Sequence, residues 1–295
     1  MLRKVTVAIP AKINLTLDIT GRREDGYHFL KTVMQSINLK DSITITQTSA
    51  ERITLRCAQE DIPVDETNLC YRAAMAFFKH TGLPNKGLDI FMDCKIPTQG
   101  GLGSASADAA GVLAGLNSLY HTRLSKQELC RLGVGLGADV PFAIMGGTLL
   151  AQGIGELFTP LPPLPPCTIV IAKPHQDSKT AECFAVYDQL GFQQQPGTRQ
   201  MVAALQQGEL REVAGSLCNA LEQACQAPQV GQFKAAMLAH GALGASMTGS
   251  GTAVFGLFDS PRLAEKCAQA LIPQAGFVTL AEPVPQGAHL VNYGE

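Results

Sequence analysis

Tryptophan is absent from this 295-residue chain and tyrosine occurs five times, which leaves few side chains able to stack on a planar ligand. No apolar run approaches the roughly 20 residues of a membrane-spanning helix. The basic start, Met1 to Lys4, imitates the first part of a signal peptide, but Pro10 and Lys12 interrupt the apolar stretch behind it. An excess of one charge is also missing. The 23 basic and 25 acidic residues leave a net charge of -2 with no block of like charges, so nucleic acid is not an expected partner. The nine cysteines are odd in number, scattered, and never spaced Cys-x-x-Cys; neither a disulfide framework nor a zinc site is suggested. They read as small core hydrophobes in a reducing cytoplasm. The expectation is a cytoplasmic protein, monomer or homodimer, that acts on a small molecule and has neither nucleic acid nor membrane as partner.

What is present is apolar bulk and glycine. With 46% hydrophobic and 16% charged residues, the chain can bury a full core and is long enough for two domains. From Ile13 it alternates strictly: Ile13, Leu15, Leu17 and Ile19 are apolar, and Lys12, Asn14, Thr16 and Asp18 are polar. That is the period of a half-buried strand with Lys12 and Asn14 on one face. The same period predicts strands over 42–46, 53–57 and 88–96, and residues 68–81 read as a helix. After Gly103, apolar residues recur at helical spacing, with Ser104 or Ser106 placed to cap the helix. The run from Pro160 to Pro166 favours a stiff extended link. It divides a first domain, 1–159, from a second, 167–295, with the link at 160–166. In the second, a strand at 168–172 precedes helical patterns at 179–190, 199–224 and 229–240. Strands at 245–247 and 253–258, a helix opened by Ser260-Pro261 and a last strand from Phe277 follow. This order suits a ferredoxin-like split βαβ sheet, so the fold class is α+β.

Glycines cluster where strand gives way to helix, in the segment Pro97, Thr98, Gln99, Gly100, Gly101, Leu102, Gly103, Ser104, Ala105, Ser106 and Ala107. Backbone N–H groups of such a loop, with a helix dipole behind them, form an anion site suited to phosphate. A serine-capped flexible turn has the same composition. Neither the Gly-x-x-x-x-Gly-Lys-Ser/Thr pattern nor Gly-x-Gly-x-x-Gly fits here, so any phosphate site is of another kind. Two further segments accompany it: Gly135-Leu-Gly-Ala-Asp139-Val-Pro141, and Thr248-Gly-Ser-Gly251 between two strands. Asp139 reads either as a positioned base or as a helix cap or turn residue.

Taken together, Pro10-Ala-Lys-Ile-Asn-Leu-Thr-Leu17, Asp25-Gly-Tyr-His28, Gly100-Gly-Leu-Gly-Ser-Ala-Ser106, Gly137-Ala-Asp-Val-Pro141 and Thr248-Gly-Ser-Gly251 follow the order of the GHMP kinases. The pairing of residues 10–15 with 25–28 resembles the branch acting on 4-diphosphocytidyl-2-C-methyl-D-erythritol. The resemblance runs through nearly the whole chain. It implies a ribosomal-S5-like α/β domain followed by a ferredoxin-like one, and transfer of the γ-phosphoryl of ATP, with Mg²⁺, to the substrate's 2-hydroxyl in non-mevalonate isoprenoid synthesis. Homoserine or mevalonate as acceptor, and a silent nucleotide-binding relative, are the alternatives.

The resemblance also implies roles. Asp139 would accept the hydroxyl proton, and Lys12 would sit beside it and help neutralise the phosphoryl group in transfer. The loop 97–107 would wrap the triphosphate, with Ser104 and Ser106 reaching Mg²⁺ or phosphate oxygens. Asn14, Tyr27, His28, Thr180, Phe184, Gly249, Ser250 and Gly251 would bind the substrate, Phe184 by stacking on cytosine. The chain departs from the family pattern at Gln99, in Ser104-Ala-Ser106, at Ala220 and at Thr252.

Overall fold

A computed structural model describes residues 3–24, 26, 28–191 and 197–294. Two sheets carry the architecture. In the first, the strands follow the order His289–Gly294, Lys4–Arg22, His28–Gln47, Leu88–Asp93, Ile53–Cys57. Strands Thr148–Gly153 and Leu157–Pro160 extend it from His28–Gln47, and the short Cys218–Asn219 pairs parallel with Lys4–Arg22. The second sheet has four strands in the order Phe277–Ala281, Thr168–Lys173, Val254–Phe258, Gly244–Met247, all antiparallel. Numbered along the chain that order is 4-1-3-2, the ferredoxin-like arrangement anticipated above, with helices Pro228–Ala239 and Pro261–Leu271 packed against the sheet. Among the described residues, no helix is long and apolar enough to cross a membrane.

The alternation around Ile13 does make a strand, but one buried on both faces. Lys12, Asn14, Thr16 and Asp18 are all buried along with the apolar set. Their covering comes from far along the chain. Thr198 Oγ1 lies 2.8 Å from Thr16 Oγ1, the Thr198 N–H donates to Asp18 Oδ2 at 3.3 Å, and the Asn14 N–H donates to Thr248 Oγ1 at 3.0 Å. A polar stripe in a strand has thus become a hydrogen-bonded seam, which pairs most of the groups that would be costly to bury alone, although Asp18 Oδ1 is buried without a hydrogen-bond partner.

Helix Leu69–Thr81 starts where Asn68 Oδ1 accepts the Cys70 N–H at 2.7 Å, the usual work of an Asn cap. Helix Ser104–Leu119 begins differently. Neither Ser104 nor Ser106 caps it: Gly103, at φ 80°, holds the cap position without a side-chain hydrogen bond. The helix lies so close to the first sheet that a Cβ on Gly111 would stand 2.5 Å from Ile9 Cδ1. That contact fixes where its N-terminus points.

Three other boundaries depart from the sequence reading. The 88–96 strand stops at Asp93, because the backbone of Lys95 and Ile96 turns in to donate to Asp41 Oδ1. The single helix read over 199–224 is broken into Thr198–Gln207, Leu210–Gly215 and a 3-10 turn, Ala220–Ala224, since Gly208 adopts φ 74° and ends the first piece. Phe277–Ala281 is not the last strand. His289–Gly294 follows and pairs with Lys4–Arg22, so the C-terminal segment completes the first sheet.

Candidate active site

Strand Lys4–Arg22 of the first sheet delivers Lys12 beside the Thr248–Gly251 turn, which joins two strands of the second. Lys12 Nζ donates to Asn14 Oδ1 at 2.8 Å and stands 3.3 Å from Asp139 Oδ2. The lysine side chain is 8% exposed and the aspartate 36%, so the cation is shut in while the carboxylate still reaches solvent. Asp139 occupies the cap position of the short helix Val140–Met145, with Pro141 in the first turn, yet its side chain makes no capping bond. The cap reading therefore describes its backbone, and its carboxylate is spent on Lys12.

Asn14 is the hub. Its Oδ1 accepts from Lys12 Nζ and from the Gly249 N–H at 3.0 Å, with Thr248 Oγ1 3.2 Å away, while Nδ2 donates to Thr32 Oγ1 at 2.9 Å. One buried amide thus ties the lysine to the Thr248–Gly251 turn. The turn in turn meets the glycine loop. Thr248 Oγ1 lies 3.2 Å from the Gly101 carbonyl, and the Ala253 N–H donates to the Gly100 carbonyl at 3.1 Å. Gly101, at φ 75°, has no room for a side chain, because a Cβ would fall 2.1 Å from the Thr248 carbonyl oxygen. Gly249 is similarly confined, a Cβ there standing 3.0 Å from Gly101 Cα and 3.4 Å from Lys12 Nζ. These two glycines are required first of all by each other's loop.

Gly100 packs on the stem of the buried Lys173, whose Nζ donates to Asp177 Oδ1 at 2.6 Å. Gln99 adopts φ 50°, a left-handed conformation unusual for a side chain with a Cβ. Because Gly103 begins the helix without a side-chain cap, the first-turn amides beside Ser104, Ala105 and Ser106 have no intrahelical acceptor and face the anion-binding end of the dipole. Pro97, Thr98 and Leu102 complete the loop, the Leu102 carbonyl accepting the Lys12 N–H at 3.1 Å. Ala107 is buried behind it.

Where strand His28–Gln47 begins, the His28 ring stacks on Phe184 with centroids 4.7 Å apart and planes 21° from parallel. His28 Nε2 lies 2.7 Å from Asp188 Oδ1, and Arg22 pairs with Asp188 Oδ2 at 3.2 Å. Thr180 Oγ1 is 2.9 Å from Ser250 Oγ, and Ser178 Oγ donates to the Ser250 carbonyl. Tyr27 lies outside the described residues. Gly251 sits at φ 83° at the end of the turn.

The sequence reading missed four contributors. Thr248 stood at the head of a quoted motif without being assigned a part. Asn219 Nδ2 donates to the Met247 and Gly249 carbonyls and holds the turn from beneath. Thr32 and Asp188 carried no local signal, because their partners are reached only through the fold. Behind the loop, Asp41, Cys94 and Asp108 form a fully buried cluster, with one ligand-type atom of each within 4.8 Å of the others. Burial pushes the Asp41 carboxyl up to about 6 and that of Asp108 well above the carboxylate range.

Comparison with known proteins follows the same lines. The family model described as GHMP kinases N terminal domain matches residues 68–147, and the model described as GHMP kinases C terminal matches 201–276. The 4-diphosphocytidyl-2-C-methyl-D-erythritol kinase of Alkaliphilus metalliredigens is 41% identical over 259 residues, 87% of this chain and 89% of the relative. A crystal structure of a 4-(cytidine 5'-diphospho)-2C-methyl-D-erythritol kinase superposes with TM-score 0.78 at 32% identity, covering 94% of this chain and 98% of the other. Homoserine kinase from Cytophaga hutchinsonii superposes with TM-score 0.79 over 99% and 98% of the two chains. At 21% identity, that likeness shows the fold alone.

Proposed function

Since the chain belongs to the GHMP kinases, in the 4-diphosphocytidyl-2-C-methyl-D-erythritol kinase family, we propose that it transfers the γ-phosphoryl group of ATP to the 2-hydroxyl of 4-diphosphocytidyl-2-C-methyl-D-erythritol. The observation that carries the reading is the Lys12–Asp139 pair at 3.3 Å, closed on the lysine side and open at the carboxylate. Asp139 takes the proton from the 2-hydroxyl as its oxygen bonds to the γ-phosphorus, and the bond from that phosphorus to the β–γ bridging oxygen breaks to release ADP. Lys12, oriented by Asn14, offsets the charge on the group in transfer. The open amides at Ser104 to Ser106 and the loop backbone hold the phosphates. The hydroxyls of Ser104 and Ser106 suit a hard cation and would hold a Mg²⁺, which needs few protein ligands. Bound by these hydroxyls, the ion would supply charge neutralisation to the phosphoryl group in transfer.

Cytosine recognition falls to the far end of the cleft. The Asp188 carboxylate, 2.7 Å from Nε2, fixes the His28 ring so that its edge can meet the polar edge of the base. Phe184 offers the stacking face. In this reading the cleft lies between a unit of residues 1–159 and one of residues 167–295, joined by 160–166, with the final strand stitched back into the first unit. ADP release measured in parallel with the cytidyl substrate, homoserine and mevalonate tests it. Turnover with the cytidyl substrate is expected. Turnover with mevalonate or homoserine alone redirects the assignment, and no turnover with any of the three leaves a nucleotide-binding relative.

A further inference from the structure

Between strand Thr168–Lys173 and helix Thr180–Leu190 the chain runs as an irregular strap, residues 174–179. The strap is fastened along two margins. At the glycine loop, the Ser178 N–H donates to the Gln99 carbonyl at 3.4 Å, and Lys173, whose stem packs on Gly100, donates from Nζ to Asp177 Oδ1 at 2.6 Å. At the Thr248–Gly251 turn, Ser178 Oγ donates to the Ser250 carbonyl at 2.8 Å, and Thr252 Oγ1 donates to the Gln176 carbonyl at 2.7 Å. Thr252, where the chain departs from the family pattern, is buried and spends its hydroxyl on the strap. Ser178 bonds both margins at once, its N–H to the loop and its hydroxyl to the turn. Two residues later the helix begins, with Thr180 Oγ1 2.9 Å from Ser250 Oγ, and it carries Phe184 and Asp188 to the His28 ring.

We propose that Ser178 is a positioning residue for the transfer: by tying the strap to the glycine loop and to the Thr248–Gly251 turn, it fixes the helix bearing Phe184 and Asp188 against the phosphate cradle and couples binding of the cytidyl substrate to binding of ATP. The loop and the turn also touch each other directly, at Gly100 and Gly101; what Ser178 adds is the helix. The coupling arises from a shared ordering cost. A strap without regular secondary structure loses backbone freedom when either ligand settles against one of its margins, so the second ligand meets it already ordered. Each ligand must then raise the affinity of the other by the same factor. The coupling rests on the functional reading above, of the loop as nucleotide site and of Phe184 as base platform, whereas the ties of Ser178 do not.

Calorimetry with a non-hydrolysable ATP analogue and the cytidyl substrate, each alone and in the presence of the other, tests it on the wild type, Ser178→Ala and Ser178→Thr. In the wild type each ligand tightens the other by the same factor, about five- to tenfold. Ser178→Ala, which removes the hydroxyl tie, brings that factor to about twofold or less, while the affinity of each ligand alone stays within about threefold of wild type. Ser178→Thr keeps the hydroxyl and restores the factor. A serine with a merely structural part would lower stability and leave the factor where it was. A wild-type factor near one, full coupling in Ser178→Ala, or Ser178→Thr as impaired as Ser178→Ala would each overturn the proposal. Failure of the wild type to bind the cytidyl compound contradicts the functional reading instead, and the ATP analogue alone then decides on the strap. It slows hydrogen exchange at the Cys183 N–H, in the first turn of the helix, in the wild type but not in Ser178→Ala. Equal slowing in both proteins, or none in the wild type, overturns it.

Discussion

The carbonyl oxygen of Thr248 occupies the space that a side chain on Gly101 would need, 2.1 Å from the position of its Cβ. Two loops whose contacting residues are 147 apart in sequence therefore touch backbone to backbone. Gly101→Ala should separate them, adding a left-handed alanine to a backbone clash at a cost of roughly 2–5 kcal/mol. Gly82→Ala is the control: it sits at φ 69° with nothing within 4 Å and should lose only about 1 kcal/mol. Chemical unfolding of the two variants measures the difference, and equal losses would mean that conformation alone, not the contact, explains the glycine.

Asn14 joins Lys12 to the turn. Asn14→Ala leaves the Gly249 N–H unpaired and Lys12 Nζ with Asp139 but without its amide partner, costing on the order of 1–3 kcal/mol in stability. It should lower kcat more than it raises the KM for the cytidyl substrate. A change confined to KM would make Asn14 a substrate contact rather than an organiser of the lysine.

For cytosine recognition, His28→Ala and Asp188→Asn should both raise KM for the cytidyl substrate, with kcat at saturation and KM for ATP largely kept. The Asp188 variant leaves the ring in place but loosens its tautomer and orientation. Steady-state kinetics on both variants suffices. Unchanged KM in each would move the base elsewhere.

The acid pair has a thermodynamic signature. Its carboxyl pKa values are raised in the folded state, Asp41 from 3.8 to about 6, so the native protein binds protons that the unfolded chain releases. That stabilisation is complete below about pH 4 and is lost as pH rises through 6, amounting to on the order of 2–3 kcal/mol for Asp41. The stability of the wild type relative to Asp41→Asn/Asp108→Asn should fall between pH 4 and 7 in unfolding experiments. A difference that stays flat across that range contradicts the raised values.

Much of the site was legible because its signals are local. The period of two from Ile13 placed Lys12 and Asn14 together, and the glycine loop before an apolar helix marked a candidate anion site. What was not legible came from distant chain. The polar face of the first strand reads as half exposed until Thr198 and Thr248 arrive to bury it, and no nearby residue announces them. Gly103, not a serine, opens the loop helix because its left-handed φ turns the chain, a feature that composition in a run of glycines and serines does not single out. Gly208 ended a helix that its apolar spacing would have carried on. Asp188 gains its meaning only from His28, and Asp108 from Asp41, partners that the fold alone selects.

The central claim is that Asp139 accepts the hydroxyl proton beside a buried Lys12. Single-turnover phosphorylation of the cytidyl substrate by Asp139→Asn, with ATP affinity measured by calorimetry on the same protein, tests it most directly. The account predicts a rate lower by about 10²–10⁴-fold, with ATP affinity within about threefold of wild type. A variant that phosphorylates the 2-hydroxyl at the wild-type rate would contradict it.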